Sequence, residues 1–226
     1  MTSSTGEKTP LSRDMMAARA ASEFQDGWIV NLGIGIPTLC SDFLPAGRRI
    51  ILHAENGVIG YGRNATVEEA SPYVVNAGVQ PVLLQPFASI VHHADAFGVI
   101  RRGLLDAAVL GAYEVAANGD FANWRLAGRK GGGIGGAMDI AVSAKRLFIM
   151  LEHTTREGEP RLLPRCTLPI TAAGVVSLVM TDLGLFEAQG ETFRLREIAP
   201  GFTTDEVQAL TGVPLQIDSG LKEVGS

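Results

Sequence analysis

The segment ILHAENGVIGYG, residues 51–62, carries an apolar run onto one carboxylate, Glu55, and then places glycines at 57, 60 and 62. Acidic residues are depleted in strands and are seldom fully buried without a partner. By residue type, Glu55 is an exposed strand-end carboxylate, a partner for Arg48, Arg49 or Arg63, or a group that performs chemistry. A carboxylate is already ionised at neutral pH, so as a nucleophile it requires no adjacent base. His53 lies two residues earlier and shares a face with Glu55 on a strand; a neighbour of a site and a packed strand histidine both fit. His92 and His93 are adjacent, so their side chains need not point the same way. The sequence has no G-x-S-x-G elbow, no H-E-x-x-H and no clustered Cys/His spacing, and no metal site is expected.

Two other turns are rich in glycine. In GIGIP, residues 33–37, Gly33 and Gly35 follow an apolar run, but Thr38 stands where the dinucleotide fingerprint would need its third glycine. A tight strand-to-helix turn and a ligand-facing turn both remain open there. In KGGGIGG, Lys130 precedes five glycines in six positions, Gly133, Gly135 and Gly136 among them, and the chain runs directly into AMDI with Asp139 just beyond. A surface loop fits, and so does a backbone that approaches a ligand closely and offers it N–H groups.

The elements that must hold these turns can be read from pattern. Ser12 is a fair N-cap for a helix carrying Met16, Ala20 and Phe24 at four-residue spacing, with Gly27 to end it. WIVNL and RIILH read as buried strands, the first turning through GIGIP into a short helix that Pro37 can open. PVLLQP, LDAAVLGAYEV and KRLFIML are further β-prone runs, with ADAFGVIRRG as a helix between two of them. VVSLVMTDLGLFEA and TFRLREI read as a strand pair joined by QGE, and Thr203 with Glu206 forms a capping box for DEVQALTG. Strands mixed with helices along one chain of 226 residues predict a layered α/β fold in one domain, residues 12–217, between a disordered tail (1–11) and a loose one (218–226).

Composition narrows the partners. Hydrophobic residues make up 46% and charged ones 19%, a lightly charged surface that suits a subunit interface. The net charge of −5 and the lack of any basic run argue against nucleic acid. No apolar run reaches the roughly 20 residues of a membrane span, and MTSSTGEKTP lacks the apolar segment of a signal peptide. Cys40 and Cys166 lie far apart, as for reduced thiols in a cytoplasmic protein.

Five blocks in order, VNLGIGIPTL, ENGVIGYG, NWRLAGRKGGGIGGAMDI, EHTTREGEPRLLPRCTLPIT and EIAPGFTTDEV, resemble the B subunit of family I coenzyme A transferases of the 3-oxoacid type, from about Ser12 to about Leu215. The resemblance implies a three-layer α/β/α domain around a central mixed, largely parallel sheet. It implies Glu55 as nucleophile and a backbone amide of Gly136, or of its neighbour Gly135, as oxyanion donor. Gly33, Gly35, Asn56, Gly57, Arg63, Gly133, Gly135 and Lys130 become candidate substrate or CoA contacts, with Arg125, Arg129 and Lys130 available to the diphosphate. It further implies CoA thioester as substrate with no tightly bound cofactor, and a separate A subunit in an A2B2 or larger assembly. Three positions depart from the family pattern: Ala54 where serine is usual, Arg63 in place of proline after Gly62, and Ala172 in place of glycine after LPIT. Rival readings are a CoA-thioester hydrolase or lyase of the same superfamily and a non-catalytic metabolite-binding subunit.

Overall fold

Ser12 Oγ accepts a hydrogen bond from the Met15 N–H at 3.2 Å and opens helix α1, Arg13–Ala21. The computed structural model describes residues 8–126, 128 and 132–225. Beyond α1 the chain forms β1 (Ile29–Leu32), a 3₁₀ helix (Ile36–Phe43), β2 (Ile51–His53), β3 (Val58–Asn64), β4 (Val82–Ile90), α2 (His93–Arg101) and β5 (Ala107–Gly111). There follow β6 (Glu114–Ala116), β7 (Phe121–Ala122), α3 (Ala137–Ser143), β8 (Leu147–Met150), β9 (Leu162–Leu163), β10 (Val176–Thr181), β11 (Gly184–Ala188), β12 (Phe193–Ile198), α4 (Thr204–Ala209) and β13 (Leu215–Glu223). The chain divides into two compact units, one of Ala17–Gly111 with Gly135–Phe148 and one of Met1–Met16, Ala112–Ile134 and Ile149–Ser226.

In the first of these, β1 is the parallel partner of both β2 and β5, with Asn31 opposite His53 and Leu32 opposite Val109. β3 and β4 extend the sheet antiparallel from β2. β5 is apolar on both faces, and β1 and β2 are so apart from the paired Asn31 and His53, as covered parallel strands are; Val30, Leu52, Ala107, Ala108 and Val109 are fully buried. Because the three run the same way, Gly33 and Glu55 both leave the sheet at its carboxyl edge, where open α/β sheets bind ligands. β4 is the last strand in the sheet order, which accommodates Pro86. Phe87 beside it has φ +69° and is almost wholly exposed.

In the second unit, β10, β11 and β12 form an antiparallel meander and β13 lies parallel to β12. VVSLVMTDLGLFEA is therefore two strands, not one: the chain reverses between Thr181 and Gly184, which pair across the hairpin. Gly184 has φ +154°, and a methyl group built on it would stand 2.3 Å from the Glu197 carbonyl oxygen. QGE is a turn, closed by the Gln189 N–H donating to Thr192 O at 2.9 Å. Residues 218–223, expected to be loose, belong to β13: after a shift in register, Lys222 and Glu223 pair with Glu197 and Ile198 of β12 even though DSGLKE offers little apolar surface. Within the expected N-terminal tail, Thr9 and Leu11 donate backbone hydrogen bonds to Pro200 and Asp182. Leu11 is buried, so residues 8–11 are tied down. β6, β7 and β9 make a small separate sheet.

Candidate active site

Ala54 to Gly57 is a β-turn between β2 and β3. The Gly57 N–H donates to Ala54 O at 3.0 Å, and the Ala54 N–H donates to Val58 O at 2.9 Å. Glu55 and Asn56 are its two central residues, so Glu55 stands on a short closed loop held at both ends by strands. Gly57 has φ +111°, and its Cα lies so close to the next chain segment that an added methyl would stand 2.2 Å from Val91 O. The Val91 N–H donates to Gly57 O at 2.9 Å. Both the backbone angle and the contact require glycine here.

The third glycine run ends at Gly136, immediately before α3. A methyl built on Gly136 would stand 2.6 Å from Glu55 Oε2, 3.3 Å from its Cδ and 2.8 Å from Phe97 Cζ. The carboxylate thus lies over the bare Cα of Gly136, with the Phe97 ring beside it. Among the described residues, no side chain or backbone donor bonds the Glu55 carboxylate and no acceptor takes the Gly136 N–H. Burial raises the pKa of Glu55 above the ordinary carboxylate value, and the charge of His93 opposes that rise. The carboxylate is a partly desolvated base without a counter-ion bond, the state expected of a nucleophile and not of a structural ion pair.

Three histidines lie on the turn's strand or at the start of α2, and none is hydrogen-bonded to the carboxylate. His93, the first residue of α2, donates from Nδ1 to the Glu55 carbonyl oxygen at 2.8 Å and packs against Phe97, ring centroids 4.7 Å apart. His92 caps α2, its Nδ1 accepting from the Ala94 N–H. The adjacent pair therefore does point two ways. His53 is the packed strand histidine of the two readings. It is fully buried, its Nε2–H donates to Ala96 O at 3.2 Å, and its Nδ1 accepts from Asn31 Nδ2 at 3.2 Å. Burial holds its pKa below the usual histidine value, so it is neutral.

The remaining candidates are distributed unevenly. Gly33 donates to Val109 O and is packed against Leu110, where a methyl would meet Cδ2 at 2.8 Å. Gly35 has φ +94° with open space around it and precedes the 3₁₀ helix that carries Pro37. Asn56 is turned away from the carboxylate toward the next loop, its Nδ2 donating to Val75 O at 2.8 Å. Arg63 lies five residues beyond Val58 on β3, roughly 16 Å along the strand from the turn. It forms a two-pronged bond with the Glu69 carboxylate at 2.8 and 2.9 Å. An acid substrate would meet its charge only if that pair opened. Gly133 and Gly135 are exposed with no neighbour near a built methyl. Arg125 is exposed, whereas Arg129 and Lys130 lie outside the described residues. No group of three or more His, Cys, Asp or Glu among the described residues could hold a metal ion. His93 and Phe97 were missed as site residues from the sequence; ADAFGVIRRG announced their helix but not what it leans on.

Comparison with known proteins places this geometry. The family model for coenzyme A transferase matches residues 13–210. The chain is 44% identical over 207 residues to the B subunit of the 3-oxoadipate CoA-transferase of Pseudomonas putida, covering 91% of this chain and 96% of that protein. It is 37% identical over 205 residues to the B subunit of the succinyl-CoA:3-ketoacid coenzyme A transferase of Helicobacter pylori, covering 91% and 99%. Among solved structures it matches the acyl-CoA transferase YdiF of Escherichia coli O157:H7 with a TM-score of 0.73 at 20% identity. That match takes in 94% of this chain but only 43% of the longer one. The structural likeness shows the fold alone, a three-layer α/β/α arrangement with a mixed central sheet. With the family model and these relatives spanning nearly all of its length, the chain belongs to the coenzyme A transferase family, as an enzyme chain of the B-subunit type.

Proposed function

We propose that this chain moves CoA from an acyl-CoA, with succinyl-CoA as donor, to a 3-oxoacid by a ping-pong reaction through a thioester on Glu55. The observation that carries the reading is the partly buried Glu55 carboxylate lying over Gly136 with no hydrogen-bond partner among the described residues. Attack of the carboxylate on the thioester carbonyl forms a mixed anhydride and expels CoA as thiolate. The thiolate attacks the glutamyl carbonyl, giving glutamyl-CoA and releasing the first acid as its carboxylate. The second acid reverses both steps and leaves as the new acyl-CoA. Each step passes through a tetrahedral oxyanion. The Gly136 N–H is an available donor beside the reacting carbon, and one such donor is worth on the order of 3–4 kcal/mol in comparable acyl transfers. Partial burial supports the same reading in a second way: a carboxylate stripped of water reacts better, and its acyl form is shielded from hydrolysis.

The two named relatives act on 3-oxoadipate and on a 3-ketoacid, which supports a 3-oxoacid acceptor here, 3-oxoadipate or acetoacetate. Their designation as B subunits supports a separate A subunit and an A2B2 or larger assembly. Cys40 and Cys166 are not joined in a disulfide, which supports a cytoplasmic enzyme, and CoA serves it only as substrate. Glu55→Ala in the assembled enzyme should abolish transfer. Borohydride or hydroxylamine should label the wild-type chain at Glu55 only after acyl-CoA is added. An active Glu55→Ala enzyme, or label elsewhere, overturns the proposal. Offering 3-oxoadipate and acetoacetate side by side then identifies the acceptor.

A further inference from the structure

The nucleophile's turn is fastened to α2 at three points. The Val91 N–H, just before the helix, donates to Gly57 O. The His53 ring on β2 reaches Ala96 O one turn into α2. The His93 side chain donates to the carbonyl oxygen of Glu55 itself. The same helix also reaches the glycine that faces the carboxylate: Phe97 stands over Gly136, and Arg101 forms a two-pronged bond with Asp139 of α3 at 2.9 and 3.2 Å. Arg101 lies 5.5 Å from the centre of the Phe97 ring. One helix therefore sets the distance between a turn that follows β2 and a turn that precedes α3. The contacts of His53 and Phe97 are packing contacts that would exist in any docked helix. His93 is different: it is exposed at the helix's first turn, and although its ring also packs against Phe97, its Nδ1–H bond to the Glu55 carbonyl is a polar contact that packing alone does not require.

We infer that His93 is a positioning residue for the acyl transfer, holding the main chain of Glu55 through its Nδ1–H so that the carboxylate stays over Gly136. The inference rests on Glu55 being the nucleophile. Its chemistry is that of a hinge pin: with the bond broken, the turn keeps its own Gly57–Ala54 bond and its ties at Gly57 and Asn56, but none of these holds the carbonyl of residue 55 itself, and the carboxylate can swing by the roughly 1 Å that costs about a hundredfold in well-oriented reactions. The role belongs to one ring nitrogen. Asparagine can put an amide N–H close to the place of Nδ1, glutamine puts one nearer the place of Nε2, and alanine offers neither.

The test uses the assembled enzyme with succinyl-CoA and its acceptor acid, reading kcat, KM, Tm and the single-turnover rate of glutamyl-CoA formation trapped by borohydride. His93→Ala should lower kcat and the trapping rate together by about 10- to 100-fold, with KM for the thioester within about threefold and Tm within about 2 °C. His93→Asn should recover most of the loss and His93→Gln should not. Wild-type rates in His93→Ala, no recovery in His93→Asn, or equal recovery in His93→Gln would each overturn the assignment. Should Glu55→Ala remain active, the underlying reading fails; should it be inactive while His93→Ala is fully active, only the role of His93 fails.

Discussion

Gly136→Ala isolates the contact on which the site depends. Gly136 has φ −84° and ψ −3°, a helical conformation that alanine adopts without strain, so the backbone gives no reason for glycine. The space does: the new methyl would meet Glu55 Oε2 at 2.6 Å and Phe97 Cζ at 2.8 Å. Restoring ordinary contact, near 3.4 Å, needs about 0.8 Å at the carboxylate and about 0.6 Å at the ring. Both atoms are side-chain ends, so they can move without disturbing the sheet, and Tm should change by no more than about 2 °C. The carboxylate, however, leaves its place over the Gly136 Cα, and a displacement near 1 Å costs about a hundredfold, or about 2.7 kcal/mol in the barrier. The assay is CoA exchange from succinyl-CoA, with thioester trapping to separate the first half-reaction from the second. Both should slow together while KM for the thioester stays within a few-fold. A Gly136→Ala enzyme that turns over at the wild-type rate would refute the geometry; one that fails to fold would show that the atoms around Gly136 do not yield.

Other outcomes follow from neighbouring features. Gly57→Ala combines φ +111° with a 2.2 Å clash against the Val91 backbone, so it should cost about 2–4 kcal/mol of stability and lower Tm, measured by thermal melt, as well as activity. Glu55→Gln should stabilise the fold while abolishing transfer. The Glu55 pKa is raised by burial, so its ionised form costs stability, and the gain from Gln should grow as pH rises through the ordinary carboxylate value and be complete above the raised one. A gain of about 0.5–1 kcal/mol is typical of relieving such a site, and denaturant titrations at pH 4 and pH 8 would read it. His153 is buried between the Thr181 and Thr211 hydroxyls, and burial brings its pKa down to about 4. The unfolded chain takes up that proton first, so stability should fall by roughly 3 kcal/mol between pH 6.5 and pH 4. A His153→Gln chain, which lacks the titrating group, should show a shallower decline in the same denaturant series.

How much of this was legible beforehand depends on how local each signal was. The Thr203 and Glu206 capping box, the buried strands IVNL and ILH, and the helix after GIGIP are local patterns, and each forms where it was read. The split of residues 175–188 into β10 and β11 was not, because Asp182 and Leu183 are a weak turn pair and the reversal depends on Gly184 fitting under the Glu197 carbonyl. β13 was missed since its strand character comes from its partner β12 and not from its own polar sequence. In the site, Glu55 stood out as a carboxylate ending an apolar run. That Gly136 meets it is a long-range fact that spacing could not reveal; only the family resemblance paired them. Asn56 and Arg63 looked available for ligand as letters, and the structure engages one with Val75 and the other with Glu69. His93 carried almost no signal, because its importance lies in a backbone oxygen, which every residue has.

The division of the chain into two discontinuous units bears on how the protein is made. Ala17–Gly111 and Gly135–Phe148 form one of them, so everything that shapes the Glu55 turn has been synthesised once residue 148 is joined. In the other unit residues 8–11 bond to Asp182, Pro200 and Glu206, so this early segment must wait for partners made much later. During translation the unit that carries the Glu55 turn can therefore fold while the remainder is still being added, and a nascent chain halted far enough past residue 148 for that residue to have left the ribosome should already shield the amides of β1, β2 and β5 from exchange.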